Sequence, residues 1–204
     1  MRTTTPLRRA LITVTATAAV ALTATGTAVA VPVSGTAAAP HAAAPAALHP
    51  VVELASERLA TADLVAAAKW GTDSPIDDPA REQQVLDNVA AQAQQLGADP
   101  DEIRVIFRDQ IEANKTVQRG LFQRWTDHPD QAPTTKPDLS VVRQEINRIT
   151  SALVQSLADT SEDRGTFACR PELALAAFQV RHENHLDGLH TRALIRALPS
   201  ICRN

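Results

Sequence analysis

The sequence predicts an all-α protein, a compact antiparallel bundle of about five main helices with one disulfide near the C-terminus. Three observations carry this. No segment sustains the apolar–polar alternation of a half-buried strand. β-branched residues are sparse after Val52. The connections between helical runs are short, which makes successive helices antiparallel neighbours. No internal repeat is present.

Helix one is predicted over about 50–70, alanine-rich and free of Gly and Pro between Leu54 and Trp70. Gly71 and then Pro75 end it. Asp78-Pro79 restarts the chain as helix two, about 79–96. Asp78 can accept from orphan N–H groups there, and Pro79 in the first turn has no N–H to lose. Gly97 stops this helix. Helix three opens at Asp99-Pro100-Asp101-Glu102, where Asp99 and Glu102 have capping-box spacing. It carries Ile103, Ile106, Phe107, Ile111, Val117 and Leu121 and runs to about Trp125. A polar connector with three prolines, 127–138, follows. Helix four starts near Asp138 or Ser140 and runs to about Leu157. A second polar connector, 159–168, contains Gly165. Helix five is predicted from near Pro171 to about Leu198, stopped by Pro199.

The N-terminus reads as an export signal over residues 1–30. Arg2, Arg8 and Arg9 precede an apolar and threonine-rich stretch, and Ala28-Val29-Ala30 is a small-x-small cleavage site. Its many threonines make it a poor membrane span. Arg8-Arg9 is compatible with twin-arginine export as well as the general route. Residues 31–48 are Ala/Pro/Val/Gly-rich and read as a linker. The folded domain is then 49–204, long enough for one real core. Loss of residues 1–30 leaves 17 basic against 23 acidic side chains, a formal charge of −6. Such a surface disfavours nucleic acid and anionic membrane, and no stable membrane contact is expected after cleavage.

In an exported chain, the pair Cys169 and Cys202 reads as one disulfide rather than two buried thiols. It would close a loop of about 34 residues, a stabilisation of about 3–4 kcal/mol in the chain-entropy view. No Cys/His cluster has zinc spacing. His182 and His185 could clip a metal from one helix face, but no third ligand falls at helical spacing beside them, so no metal site is expected.

One stretch concentrates charge among alanines and leucines. Arg58 and Lys69 are eleven residues apart, three helical turns plus about 20°, so they face the same way. Arg81 and Glu82 fall in the first turn after the Asp78 corner. Three cations can converge there on a volume suited to a small dianion. Read singly, each would be an ordinary solvated helix charge. On helix three, Asn114 and Gln118 are four apart and share a face. Arg143, in the first turn of helix four, can reach back over the same mouth.

The order R-x10-K-W, a proline-containing loop and D-x-x-R-E resembles the all-helical chorismate mutases. Further matching parts are ERL at 57–59, VAAAKW at 65–70, PIDD at 75–78, FRDQI at 107–111, DLSVVR at 138–143 and HLDGLHTRAL at 185–194. With the cysteine pair, they point to the secreted class of that family over 49–204. The resemblance implies a cofactor-free conversion of chorismate to prephenate. It implies that Lys69 and Gln118 donate to the breaking ether oxygen, and that Arg58 and Arg143 hold carboxylates. Arg81 would support the pocket and, through Asn114, the ring carboxylate. Glu82 would accept from the ring hydroxyl, with Asp78 helping through its backbone, and Trp70 would pack rather than bind. A homodimer with each pocket inside one chain is also implied. Asn114 stands where the family leads one to expect Ser or Thr, Gln118 where some secreted members carry Glu, and Glu82 matches the cytosolic type better. The competing reading is an exported helical binding protein for a small dicarboxylate without turnover, or a purely structural bundle.

Overall fold

The computed structural model describes residues 47–203. The export-signal reading of 1–30 and nearly all of the linker reading of 31–48 lie outside the described residues.

Helix α1 spans His49–Lys69, and its inward face carries Val51, Val52, Ala55, Leu59, Ala62 and Ala66 at helical spacing. The chain leaves it through Gly71 at φ +66°, a conformation that glycine adopts without Cβ strain. Helix α2 spans Pro79–Gln95, and the Asp78 carboxylate accepts the Arg81 N–H at 3.0 Å. Helix α3, Pro100–Asp127, is the longest among the described residues, at 28 residues. Asp99 caps it by accepting from the N–H groups of Asp101 and Glu102. The reciprocal half of the expected capping box does not form. The Glu102 carboxylate is taken instead by the guanidinium groups of Arg164 and Arg203, charge-assisted partners that outcompete one backbone N–H. Helix α4, Leu139–Asp159, is capped by Asp138 through the Ser140 N–H at 2.7 Å.

The structure corrects the expectation of a single fifth helix. The two polar connectors contain a 3-10 turn, Pro129–Gln131, and a one-turn helix α5, Ser161–Arg164. Beyond them are two helices, α6 at Cys169–Glu183 and α7 at Gly188–Ala197. The break has a local cause. His185 takes a left-handed φ of +50°, and Asp187 starts α7 by accepting the His190 N–H at 2.9 Å. Asn184 donates to Glu53 and Ser56 on α1, which fixes the end of α6.

At the centre, α1 packs on α3. Helix α4 lies against α1 and α2, α2 lies against α3, and α6 and α7 cover α1. Ile103, Ile106, Phe107, Ala113 and Val117 of α3 are fully buried. The C-terminal end is tied down twice. Cys169 and Cys202 form the expected disulfide, with their Cα atoms 5.8 Å apart. Arg164, 1% exposed, donates to the carbonyls of Leu157 and Ile201 at 3.1 Å and pairs with Glu102. That satisfies a charge which would be costly to bury alone. Trp70 packs edge-on against Phe122 and Trp125, with ring centroids 5.1 and 5.4 Å away. Among the described residues no helix is long and apolar enough to cross a membrane.

Candidate active site

A cavity of about 200 Å³ opens between α1, the 70–78 connection and the facing sides of α2, α3 and α4. All eight residues singled out in the sequence line it: Arg58, Lys69, Asp78, Arg81, Glu82, Asn114, Gln118 and Arg143. Three turns of α1 carry Arg58 and Lys69 to one side. The cap at Asp78 turns the chain so that the first turn of α2 delivers Arg81 and Glu82. Asn114 and Gln118 project from α3, and Arg143 comes from the start of α4. Val65, Val85, Ile111, Leu139 and Ile146 supply an apolar wall that the sequence reading did not assign.

Arg58 is the most constrained cation. It is 5% exposed, and its Nε and NH1 donate to Thr150 Oγ1 at 3.4 Å and the Gln110 carbonyl at 3.2 Å. The guanidinium lies over the Phe107 ring, 5.6 Å from the centroid. Among the described residues no carboxylate pairs with it. Burial alone lowers its pKa to about 10. A buried cation with N–H groups to spare and no carboxylate partner suits an anionic ligand.

Lys69 Nζ donates to the Pro75 carbonyl at 2.7 Å. Burial lowers its pKa, the positive charge of Arg143 adds to that, and Asp78, Asp77 and Glu82 oppose it. The Lys69 carbonyl accepts from the Thr72 hydroxyl, so the lysine's own helix end and the connection brace each other. Arg81 NH1 donates to Gln84 Oε1 at 3.2 Å.

Gln118 Nε2 donates to Asn114 Oδ1 at 2.7 Å. Gln118 is 4% exposed, and its Oε1 is the buried side-chain polar atom left without a partner among the described residues. Amide oxygen and nitrogen are interchangeable by a flip. Turning both amides keeps their mutual bond and places an N–H where the orphan oxygen stands. Unsatisfied buried polar atoms are uncommon, and one in a cavity wall marks a place for a ligand atom.

The sequence reading missed Lys115. It lines the cavity and is 8% exposed, with Nζ contacting Glu82 at 3.1 Å, Asp77 at 3.1 Å and Glu112 at 2.5 Å. Its signal was positional. It falls four residues after Ile111 and three before Gln118, on the buried stripe of α3, where a lysine needs partners. The structure does not keep the histidine pair on one helix. His182 ends α6 against the Phe178 ring and His185 lies beyond the helix. Among the described residues no group of three or more His, Cys, Asp or Glu side chains could hold a metal.

The cavity holds five cationic side chains, Arg58, Lys69, Arg81, Lys115 and Arg143, against two carboxylates, Asp78 and Glu82. Its lining has no Cys or His and a single hydroxyl, Ser74. What it can do is grip a compact polyanion and point fixed N–H donors at developing negative charge.

Comparison with known proteins agrees with this chemistry. Residues 50–119 match the sequence family described as chorismate mutase type II. The chain is 39% identical to a secreted chorismate mutase of Mycolicibacterium smegmatis over 166 residues, 80% of this chain and 92% of that protein. It is 33% identical to a secreted chorismate mutase of Mycobacterium tuberculosis, covering 75% of this chain and 77% of that one. Among solved structures, the chorismate mutase of Burkholderia phymatum superposes with a TM-score of 0.73 at 36% identity, covering 78% of this chain and 97% of that one.

Proposed function

The chain belongs to the chorismate mutase family, in its secreted all-helical class, and from that premise we propose how its cavity converts chorismate to prephenate. The reaction is intramolecular. The ether C–O bond breaks as a C–C bond forms, and no proton, cofactor or covalent enzyme intermediate enters the balance. The protein's tasks are to hold the compact conformer of a dicarboxylate and to stabilise charge developing on the ether oxygen.

The observation that carries this reading is Arg58, a buried guanidinium without a carboxylate partner among the described residues, in the wall of a cation-rich cavity. Arg58 and Arg143 hold the two carboxylates, with Arg81 supporting the ring carboxylate through Asn114. Lys69 and the Gln118 amide donate to the ether oxygen from the α1 and α3 sides. Glu82 accepts from the ring hydroxyl, and Asp78 fixes the corner that presents Arg81 and Glu82. Lys69 exchanges its Pro75 carbonyl for the substrate oxygen, a short movement for a flexible side chain.

The enzyme acts outside the cytoplasm, as the secreted relatives do. The same proposal includes an export signal over 1–30, a linker over 31–48, a catalytic domain over 49–204 and no lasting membrane contact after cleavage. It includes a homodimer with one pocket per chain. Sedimentation of the mature protein checks the dimer.

The deciding experiment adds purified 31–204 protein to chorismate without metal or cofactor. Loss of chorismate absorbance with formation of prephenate is expected. Thermal protection by chorismate without prephenate would assign the cavity to a binding protein instead.

A further inference from the structure

The Lys115 ammonium has three N–H donors, and three carboxylates surround it: Asp77, Glu82 and Glu112. They come from different segments. Asp77 is in the 70–78 connection that roofs the cavity, Glu82 is in the first turn of α2, and Glu112 is one turn back on α3. Each carboxylate has a second, outer cation. Arg119 lies 2.6 Å from Asp77, Arg108 lies 3.7 Å from Glu82 and Arg196 lies 3.8 Å from Glu112. The four outer and central cations thus alternate with three anions. The ammonium is nearly enclosed, whereas Arg108, Arg119 and Arg196 are about half exposed. Screening by water weakens the outer pairs more than the inner ones, so Lys115 dominates the placement of Glu82 and Glu112, whereas Asp77 is shared with Arg119, whose NH2 donates to its two oxygens at 2.6 and 2.9 Å.

We propose that Lys115 is a positioning residue for this cavity, fixing the Glu82 carboxylate and strapping the 70–78 connection to α3. With its ammonium ringed by three carboxylates, Lys115 acts through what it holds. One Glu82 oxygen is tied to Lys115, and Arg108 approaches the other only at 3.7 Å. Glu82 therefore keeps accepting capacity at a fixed place in the cavity wall. The strap matters for the opposite side too. Pro75, two residues before Asp77, supplies the carbonyl that orients Lys69. Lys115 stays charged throughout the working range. Burial acts against its ammonium, but hydrogen bonds to Glu112, Glu82 and Asp77 outweigh it and raise its pKa to about 12.

This inference rests on the reading that Glu82 accepts from the substrate hydroxyl, and the test separates the two. Steady-state kinetics are compared for Glu82→Gln, Lys115→Met, Lys115→Arg and the double variant Glu82→Gln/Lys115→Met, with circular dichroism melts of each. Glu82→Gln is expected to raise KM about tenfold, the loss of one charge-assisted hydrogen bond. Lys115→Met should raise KM by a similar factor, with kcat within about threefold of wild type. The double variant should be no worse than the poorer single variant by more than about threefold, because both changes remove the same positioned acceptor. Lys115→Arg keeps the charge but cannot serve three carboxylates from one point. It should fold normally and raise KM about threefold, and it carries the test if Lys115→Met does not fold. Folded Lys115 variants with wild-type KM, or a double variant whose KM effect is the product of the singles, would overturn the positioning role. A Glu82→Gln enzyme with wild-type KM would instead overturn the role given to Glu82, whatever Lys115 does.

Discussion

The Gln118 side chain donates to Asn114 Oδ1 at 2.7 Å while its own Oε1 stays buried and unpartnered. Two neutral amides one turn apart thus form a pair whose orientation a ligand can choose. A neutral amide donates at any ordinary pH, whereas a carboxyl donates only while protonated. Wild-type kcat/KM is therefore expected to be nearly flat from about pH 5 to 8. Gln118→Glu should be most active at acid pH and should decline as pH rises through the new group's pKa. The check is a pH–rate profile of both proteins. A Gln118→Glu enzyme as active at pH 8 as at pH 5 would remove Gln118 from the ether oxygen.

In the proposed mechanism Lys69 and Arg58 have different tasks. Lys69→Ala should lose at least about 100-fold in kcat/KM, because it removes a charged donor aimed at the developing oxyanion. Arg58→Ala should raise KM as well, since it removes ground-state carboxylate binding. Near-normal turnover by a folded Lys69→Ala protein would mean that the assignment of the cavity is wrong.

The disulfide supports the fold and not the chemistry, since neither Cys169 nor Cys202 lines the active cavity. The double Cys→Ser protein should lose about 3 kcal/mol of stability and melt about 10 °C earlier. It should keep most of its kcat at low temperature. Melting curves and turnover of the two proteins decide this.

His190 ties α7 to α1, with Nε2 3.0 Å from Asp63 and Nδ1 2.8 Å from Asp187, whose carboxylate also lies 3.5 Å from Arg124. The hydrogen bond to Asp63 first, and then that to Asp187, outweigh burial and raise the His190 pKa to about 9. Because the folded value lies above the unfolded one of about 6.5, the stabilisation is fully present below pH 6.5 and is lost as pH rises through about 9. Urea midpoints of wild type should fall between pH 6.5 and 9.5, and His190→Gln should flatten that slope. An equal slope in both proteins would locate the titration elsewhere.

Much of the fold was legible because its boundaries are written in local chemistry. Asp78-Pro79, Asp99-Pro100 and Asp138 act as caps where the sequence places them, and Gly71 and Gly97 end helices in left-handed conformations. The break after α6 was less legible. It depends on His185 accepting a left-handed φ and on Asn184 finding Glu53 and Ser56 on α1, partners distant in sequence. Glu102 misled for the same reason, since its partners Arg164 and Arg203 arrive from the other end of the chain. In the cavity, residues whose spacing places them on one face came together as expected. Lys115 went unread because a lysine on a helix is ordinarily solvated, and only the arrival of the connection and α2 encloses it.

The solitary burial of Arg58 also makes this cavity the place where the fold gives up stability for readiness. Its guanidinium is largely withdrawn from water onto two neutral hydrogen bonds and an aromatic face, a poorer exchange for hydration than a paired carboxylate would give. An apolar side chain of similar volume, as in Arg58→Met, should therefore melt no earlier than wild type while losing the substrate. Wild type should show a large rise in melting temperature with a non-reacting dicarboxylate analogue, and Arg58→Met should show little. Selection on such a chain acts on the occupied protein, so the best-folded sequence for this bundle and the best enzyme are different sequences.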